Sequence, residues 1–507
     1  MSAPLILHPN DTVSVLTVRA MAGDVPLGLG TALAGPVPAG HKIARVDLRA
    51  GAPVVKFGQF IGHATQDIPV GAHVHSHNCT FATPEKGYNI GSALVAARTA
   101  LPSCIPCDFQ GFKRSDGRVG TRNYIALVAT VNCSASVIRR AAAEIETSGM
   151  LASYSNVDGV VALAHGTGCG MAGSGLGYDI LERVLWGHAT HPNVGATLFV
   201  GLGCEVMQVA RMRSHFGDAG TDRFHTLTIQ ETGGTLATIA SIKAHVADIA
   251  PRVNLATRSS QPMSALRVAL QCGGSDGFSG ITANPALGVA SDLIVAQGGT
   301  AILSETPEIY GAEQILLSRA SSAQVAEKLI GQIKWWESYV AQNGGSMDNN
   351  PSPGNKQGGI TTILEKSLGA VAKAGTTPLM AVYGYAETVR DEGFVFMDTP
   401  GYDPVSVTGQ IAGGAQIVVF TTGRGSAFGS KPAPTIKLAT SDRLFAQMPD
   451  DMDLGTGDII SGAISIADKG QQIFDLIRAT ASGQVSKSEA LGLGNNEFVP
   501  WQIGAVM

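Results

Sequence analysis

The chain has 507 residues, of which only 15% are charged, with 35 Lys and Arg against 40 Asp and Glu and a net charge of −5. This balance, with no basic run able to track a phosphate backbone, excludes nucleic acid as a partner. The length allows two to four domains with sizeable cores. No stretch approaches the roughly 18 apolar residues of a membrane span, and the opening MSAPLILHPN lacks the basic and apolar regions of a signal peptide, so a soluble, cytoplasmic protein without membrane partners is expected.

Two residue types stand out. The 63 glycines exceed the usual share of about 7% and cluster just after apolar runs, which points to a site built from tight strand-to-loop turns. Seven cysteines, an odd number in a long chain, argue for reduced thiols or metal ligands over a disulfide framework.

Residues 1–80 read as a small β domain, with short alternating segments such as Val13-Ser14-Val15-Leu16-Thr17-Val18 between Gly/Pro turns. It ends in Gly71-Ala72-His73-Val74-His75-Ser76-His77-Asn78. Alternation along a strand puts His73, His75 and His77 on one face, a metal-site arrangement or, more plainly, a His-rich solvent face. Residues 81–110 read as a linker, with Pro84, Pro102 and Pro106 around a short helical piece. Its Cys104-Ile105-Pro106-Cys107 has no second pair at zinc spacing, and incidental thiols are the simpler reading.

From residue 111 the pattern becomes strand, glycine loop, helix, repeated through a first α/β unit expected over 111–345. Strand-like residues 124–130 lead to Cys133, 160–164 to Cys169, 197–200 to Cys204 and 266–270 to Cys272. Any one such cysteine reads as inert core filler. Four at equivalent exits of one parallel sheet would converge on an edge where ligands bind, and thiolates select iron, zinc or an iron–sulfur cluster. His165, in His165-Gly166-Thr167-Gly168-Cys169, stands at the same edge as a general base, a ligand or a plain loop histidine. Cys272-Gly273-Gly274-Ser275-Asp276 offers a glycine nest for an anion. The next strand, residues 300–303, ends at Ser304, Glu305 and Glu308, bringing two carboxylates to the neighbouring exit.

A second α/β unit is expected over 346–507. Its long loop, residues 348–359, suits a lid or binding loop and carries Lys356, a positive charge for an acid substrate or a solvated lysine. Strand-like residues 416–420 run into Thr421-Thr422-Gly423-Arg424-Gly425, where Arg424 can hold a carboxylate through paired hydrogen bonds. Residues 398–414 carry no chemistry legible in the sequence.

Several of these blocks occur together in a known family. The chain resembles the altronate and galactarate dehydratases through His73-Val74-His75-Ser76-His77-Asn78, Asp116-Gly117-Arg118-Val119-Gly120-Thr121-Arg122-Asn123, Gly201-Leu202-Gly203-Cys204-Glu205, Cys272-Gly273-Gly274-Ser275-Asp276, Ser352-Pro353-Gly354-Asn355-Lys356 and Thr421-Thr422-Gly423-Arg424-Gly425. The resemblance implies an α/β multidomain protein: an N-terminal β-clip domain of the SAF type, then a two-part α/β body with mostly parallel sheets. It also implies dependence on Fe(2+) and loss of water from a sugar acid to give a 2-keto-3-deoxy acid. Cys104, Cys107 and the segment Gly401-Tyr402-Asp403-Pro404-Val405-Ser406 match neither named activity.

Such a dehydration needs a base, a Lewis acid or proton donor for the departing hydroxyl, and positive charge for the developing enediolate. The expected assignment is a metal held by a subset of Cys133, Cys169, Cys204, Cys272, His75 and His77, as a mononuclear ion or an iron–sulfur cluster. His165 is the expected base, with Glu305 second; Ser275, Asp276, Lys356 and Arg424 would hold the acid group. A homodimer is compatible with this reading. Two alternatives stay open: a lyase expelling another group such as sulfite, and a non-catalytic sugar-acid binding protein.

Overall fold

In the computed structural model, residues 3–83, 87–217, 223–504 and 506 are described; Pro84 of the expected linker lies outside them. The N-terminal body contains β1 (Val13–Val15), β2 (Lys42–Ala44), β3 (Pro53–Lys56), β4 (Gln59–Ala64), β5 (His73–Val74) and β6 (Cys79–Thr80). These make two three-stranded antiparallel sheets, β1-β2-β5 and β3-β4-β6, closed over Val13, Ala44, Val54, Ile61, Ile68 and Val74. This is the SAF-like domain expected from the sequence. It docks on the C-terminal body through charge: Lys42 and Lys56 both reach the buried Glu365 carboxylate, at 2.7 and 2.8 Å.

After a short helix α1 (Leu94–Thr99), strands β7 (Asp108–Lys113) and β8 (Val119–Gly120) lead into a parallel four-stranded sheet: β9 (Tyr124–Ala129), β10 (Gly159–Leu163), β11 (Val194–Gly201) and β12 (Phe224–Thr228), in the order β10-β9-β11-β12. Its helices are α2 (Asn132–Ser148), α3 (Leu176–Ala189), α4 (Val209–Phe216), α5 (Ile229–Thr232) and α6 (Thr235–Val253). β9 is buried along its whole length, as a central parallel strand covered on both faces must be. Its side chains alternate between two cores: Ile125, Leu127 and Ala129 pack with Ile138, Ile145, Ile242 and Ile249 of α2 and α6. Ala126 and Val128 pack with Tyr178, Leu181 and Leu185 of α3.

The third body begins at β13 (Arg258–Pro262), which pairs antiparallel with β7. Then follow β14 (Arg267–Cys272), α7 (Ala283–Ala296), β15 (Thr300–Leu303), β16 (Leu379–Tyr383), β17 (Gly393–Met397), β18 (Ile417–Thr422), β19 (Thr435–Ala439) and β20 (Leu454–Gly455). Their seven-stranded sheet is parallel throughout, in the order β16-β17-β15-β14-β18-β19-β20.

Two expectations are corrected here. The boundary near residue 345 falls inside this sheet, which draws strands from both sides of it; the chain leaves one sheet for the other between α6 and β14. The four cysteine-bearing strands also do not share an edge, because β9, β10 and β11 belong to the four-stranded sheet and β14 to the seven-stranded one. Strand, glycine loop and cysteine look alike in either sheet, so the repeat could not reveal the change.

The C-terminal tail returns to the second body. Phe498 packs edge-on against His188, with ring centroids 4.8 Å apart, and touches His165 at 6.2 Å. Trp501 stacks on Trp336 at 5.4 Å. No helix among the described residues is long and apolar enough to cross a membrane.

Candidate functional site

Leu270 of β14 is paired with Leu303 of β15. Cys272 and Glu305 each stand two residues further on, so the parallel register places them side by side at the strand exits. Glu308 follows on a short 3-10 turn (Thr306–Ile309). The Cys272 thiol lies 3.5 Å from a Glu308 carboxylate oxygen and 4.0 Å from one of Glu305. One ligand atom from each of the three falls within 4.8 Å of the others, and no other set of three His, Cys, Asp or Glu among the described residues does so.

Two lysines enter this cluster from the apolar stretch after residue 362. Lys373 donates to Cys272 Sγ at 2.8 Å and stands 3.6 Å from Glu305. Lys366 donates to Glu308 at 2.7 Å and to Asn350 at 2.7 Å, and Asn350 itself donates to Glu308. Asp403 lies against Gly273, where a Cβ would come 2.3 Å from its carboxylate oxygen; glycine is what lets the two approach. Cys272, Glu305, Glu308, Lys366 and Lys373 are all buried.

Glu305 is one of only three non-glycine residues with positive φ among those described, at 71°, a conformation that costs roughly 1–3 kcal/mol and collects at functional sites. Neighbours hold it there. Its N–H donates to Thr399 Oγ1 at 2.9 Å, and the Thr399 hydroxyl continues through Ser406 to Ser304. One Glu305 oxygen, Oε1, is buried without a hydrogen-bond partner.

Burial, then the neighbouring Glu308, pushes the Glu305 carboxyl well above its usual range. Burial likewise raises Glu308, but Lys366 and Lys373 outweigh it and leave that carboxyl below its usual range. Burial, with Glu308, lifts Asp403 to about 7, and burial lifts the Cys272 thiol to about 12 against the pull of Lys373. A site with four acidic groups and two ammonium ions thus holds protons that a divalent cation would replace with the charges nearly balanced. Together with the unpartnered Glu305 oxygen, this makes Cys272, Glu305 and Glu308 a fitting ligand set for one metal ion.

The other expected residues lie elsewhere or have structural work. Both His165 nitrogens are engaged by backbone: Nε2 with Ala129 O at 2.8 Å, and Nδ1 accepting from Thr167 N at 3.2 Å. Burial lowers its pKa to about 4, so the imidazole is a neutral loop support, which corrects its reading as a base. Asp276 accepts from Phe278 N, Ser279 N, Ser279 Oγ and Thr440 Oγ1, so its carboxylate closes its own turn and is not free to hold substrate. Ser275 lines a cavity of about 10 Å³ with Lys56, Asn284, Glu365 and Lys366. Arg424 is exposed, its N–H bound to Gly274 O. Lys356 sits on a one-turn helix (Pro353–Gln357), where a loop without structure was expected.

His75 and His77 do gather, though not on a long strand. β5 ends at Val74, and around the following turn the rings of His73 and His75 pack against His41, each at 5.1 Å between centroids, while His75 and His77 pack against His73 at 5.5 and 5.4 Å. His41 bonds His73 at 3.0 Å and Gln357 O at 3.1 Å. Burial lowers His73 to about 3 and His75 to about 4. The residues expected to supply a metal's ligands thus fall in three places: this imidazole cluster, the Cys272 cluster, and the three cysteines of the second body.

Lys366, Lys373 and Asp403 were missed. A signal existed for the lysines: they stand seven residues apart, two helical turns on one face, in a mainly apolar stretch. Asp403 had no local signal.

The fold is thus a small SAF-like β domain joined to a two-part α/β body, with buried carboxylates, a thiol and two ammonium groups meeting at adjacent strand exits. The SAF domain of altronate/galactarate dehydratases matches residues 2–82, the second domain of D-galactarate dehydratase/altronate hydrolase matches 111–254, and the C-terminal domain of D-galactarate/altronate dehydratase matches 263–506. An altronate dehydratase of Bacillus subtilis (strain 168) is 34% identical over 499 residues, 96% of this chain and 97% of that one. A galactarate dehydratase (L-threo-forming) of Escherichia coli (strain K12) is 33% identical over 507 residues, 96% and 95% of the two chains. The beta subunit of a (2R)-sulfolactate sulfo-lyase from Chromohalobacter salexigens is 30% identical over 396 residues, 77% of this chain and 96% of that one. The chain belongs to the altronate/galactarate dehydratase family, and its class is hydro-lyase.

Proposed function

We propose that the protein removes water from a sugar acid, an aldonate or aldarate such as altronate or galactarate, to give a 2-keto-3-deoxy acid. The observation that carries this reading is the buried meeting of Cys272, Glu305, Glu308, Lys366 and Lys373 at adjacent exits of one parallel sheet. Cys272, Glu305 and Glu308 would hold a single Fe(2+). The ion would supply Lewis-acid polarisation of the substrate oxygens.

The remaining work falls to the chain's own groups. Removing the proton beside the carboxylate builds enediolate charge, which the Lys366 and Lys373 ammonium groups are placed to stabilise in a medium that excludes water. Asp403, half-buried beside Gly273, is the acidic group at the rim of the cluster and takes the role of proton acceptor at carbon 2. Glu305, expected to be a base, serves here as a ligand. Arg424 and Lys356 stand at neighbouring loops with charge for a second carboxylate.

The test is turnover of a panel of aldonic and aldaric acids with ferrous iron, read as 2-keto acid release. Release from at least one acid, abolished in Cys272→Ala and Glu308→Gln, is expected. Sulfite release from a sulfonated hydroxy acid, with no sugar acid turned over, would replace this reading with the sulfo-lyase one that the Chromohalobacter relative suggests. Tight binding without turnover would leave a binding protein.

A further inference from the structure

Cys133, Cys169 and Cys204 have no part in the site above. All three are exposed, which in a protein of reduced thiols is an oxidation liability unless something occupies them. Their loops are sewn together at one edge of the four-stranded sheet. Asn132 N donates to Thr167 O at 2.8 Å, Val206 N to Gly168 O at 3.1 Å, and Thr130 Oγ1 to Glu205 Oε1 at 2.8 Å. Gly168 lies so close to the first loop that a Cβ would meet Thr130 O at 2.3 Å. The three thiols thus extend from the adjacent strands β10, β9 and β11 on a shared, rigid base.

We propose that these three cysteines hold an iron–sulfur cluster, separate from the Cys272 site, with its fourth iron position left to a non-cysteine ligand. Spacing favours a cluster over a lone ion. Thiolates around one tetrahedral metal, with bonds of about 2.3 Å, stand roughly 3.8 Å apart, whereas these three sulfurs do not all fall within 4.8 Å of one another. A cluster carries its thiolates on different irons and accepts a wider set than one ion does. Cys133 is the second residue of the 17-residue α2, so the positive end of a long helix faces the anionic group. Cys104 and Cys107 lie by Gln297, which caps the far end of α7 at the entry side of β15, and Cys79 is buried in the SAF-like domain; none of them reaches this edge.

The full chain, purified without oxygen, is reconstituted with iron, sulfide and dithiothreitol, and acid-labile sulfide is measured together with visible absorption and the EPR spectrum of the reduced protein. About four sulfides per chain are expected, falling at least about tenfold in Cys133→Ser, Cys169→Ser and Cys204→Ser but unchanged in Cys272→Ala and in the Cys104→Ser, Cys107→Ser double variant. No labile sulfide in the wild type, metal bound without sulfide, or full sulfide in the three variants overturns the proposal. Should the variants fail to fold, alkylation of the loaded wild type mapped by mass spectrometry decides: protection of these three cysteines supports the cluster, and their free alkylation overturns it. None of these readouts uses turnover, so they stand or fall apart from the dehydration reading.

Discussion

At residue scale, Lys373 and His165 divide the chemistry from the scaffold. Lys373→Met removes the ammonium placed for the enediolate while Cys272, Glu305 and Glu308 remain. Its kcat should fall by about 10²- to 10³-fold with iron content retained, measured by steady-state kinetics beside metal analysis. His165→Gln breaks one or two backbone contacts in a buried loop and should cost about 1–3 kcal/mol of stability, leaving the shape of the pH–rate profile unchanged. The sequence could nominate His165 because a histidine beside glycines at a strand exit looks catalytic; that both nitrogens are spent on Ala129 and Thr167 depends on the loop's closed shape. Cys272 and Glu305 were legible for the opposite reason, since one ends its strand, the other stands two residues past its own, and parallel register does the rest.

At element scale, the strands and helices of the body were readable from apolar runs and glycine punctuation. Residues 300–303 are a strand as expected, and the strand-like runs 124–130 and 416–420 are the strands Tyr124–Ala129 and Ile417–Thr422. Sheet membership was not, because it is set by pairing between distant segments, and neither was the approach of the helix Ile363–Val371. That helix carries Glu365, the anchor of the SAF-like domain. Burial opposes ionisation of Glu365, but Lys42 and Lys56 prevail and hold its pKa at about 2, whereas burial leaves Lys42 below its ordinary value because two ammonium ions share one carboxylate. The folded pKa of Glu365 lies below the usual 4.5, so its contribution is complete above about pH 4.5 and is lost as the pH falls towards 2. Thermal unfolding followed across that window should show the wild type losing stability that Glu365→Gln has already lost at neutral pH. That substitution leaves two buried ammonium ions unpaired and should cost about 3–5 kcal/mol.

At the scale of the whole molecule, the tail that runs from Phe498 to Trp501 ties the last residues of the chain to α3 and to the long helix Ala323–Gln342. Trp501→Ala should lower stability by about 3 kcal/mol, at the lower end for loss of a packed aromatic ring, seen as a lower Tm with kcat little changed. The left-handed backbone at Glu305 bears on the entire fold as well. Glycine adopts that conformation freely and alanine does not, so Glu305→Gly should unfold at a higher temperature than Glu305→Ala although both lack the carboxylate and neither turns over substrate. A ranking of that kind would mean that the wild-type enzyme tolerates a standing loss of robustness at one peptide unit in exchange for an acid group aimed where the reaction needs it.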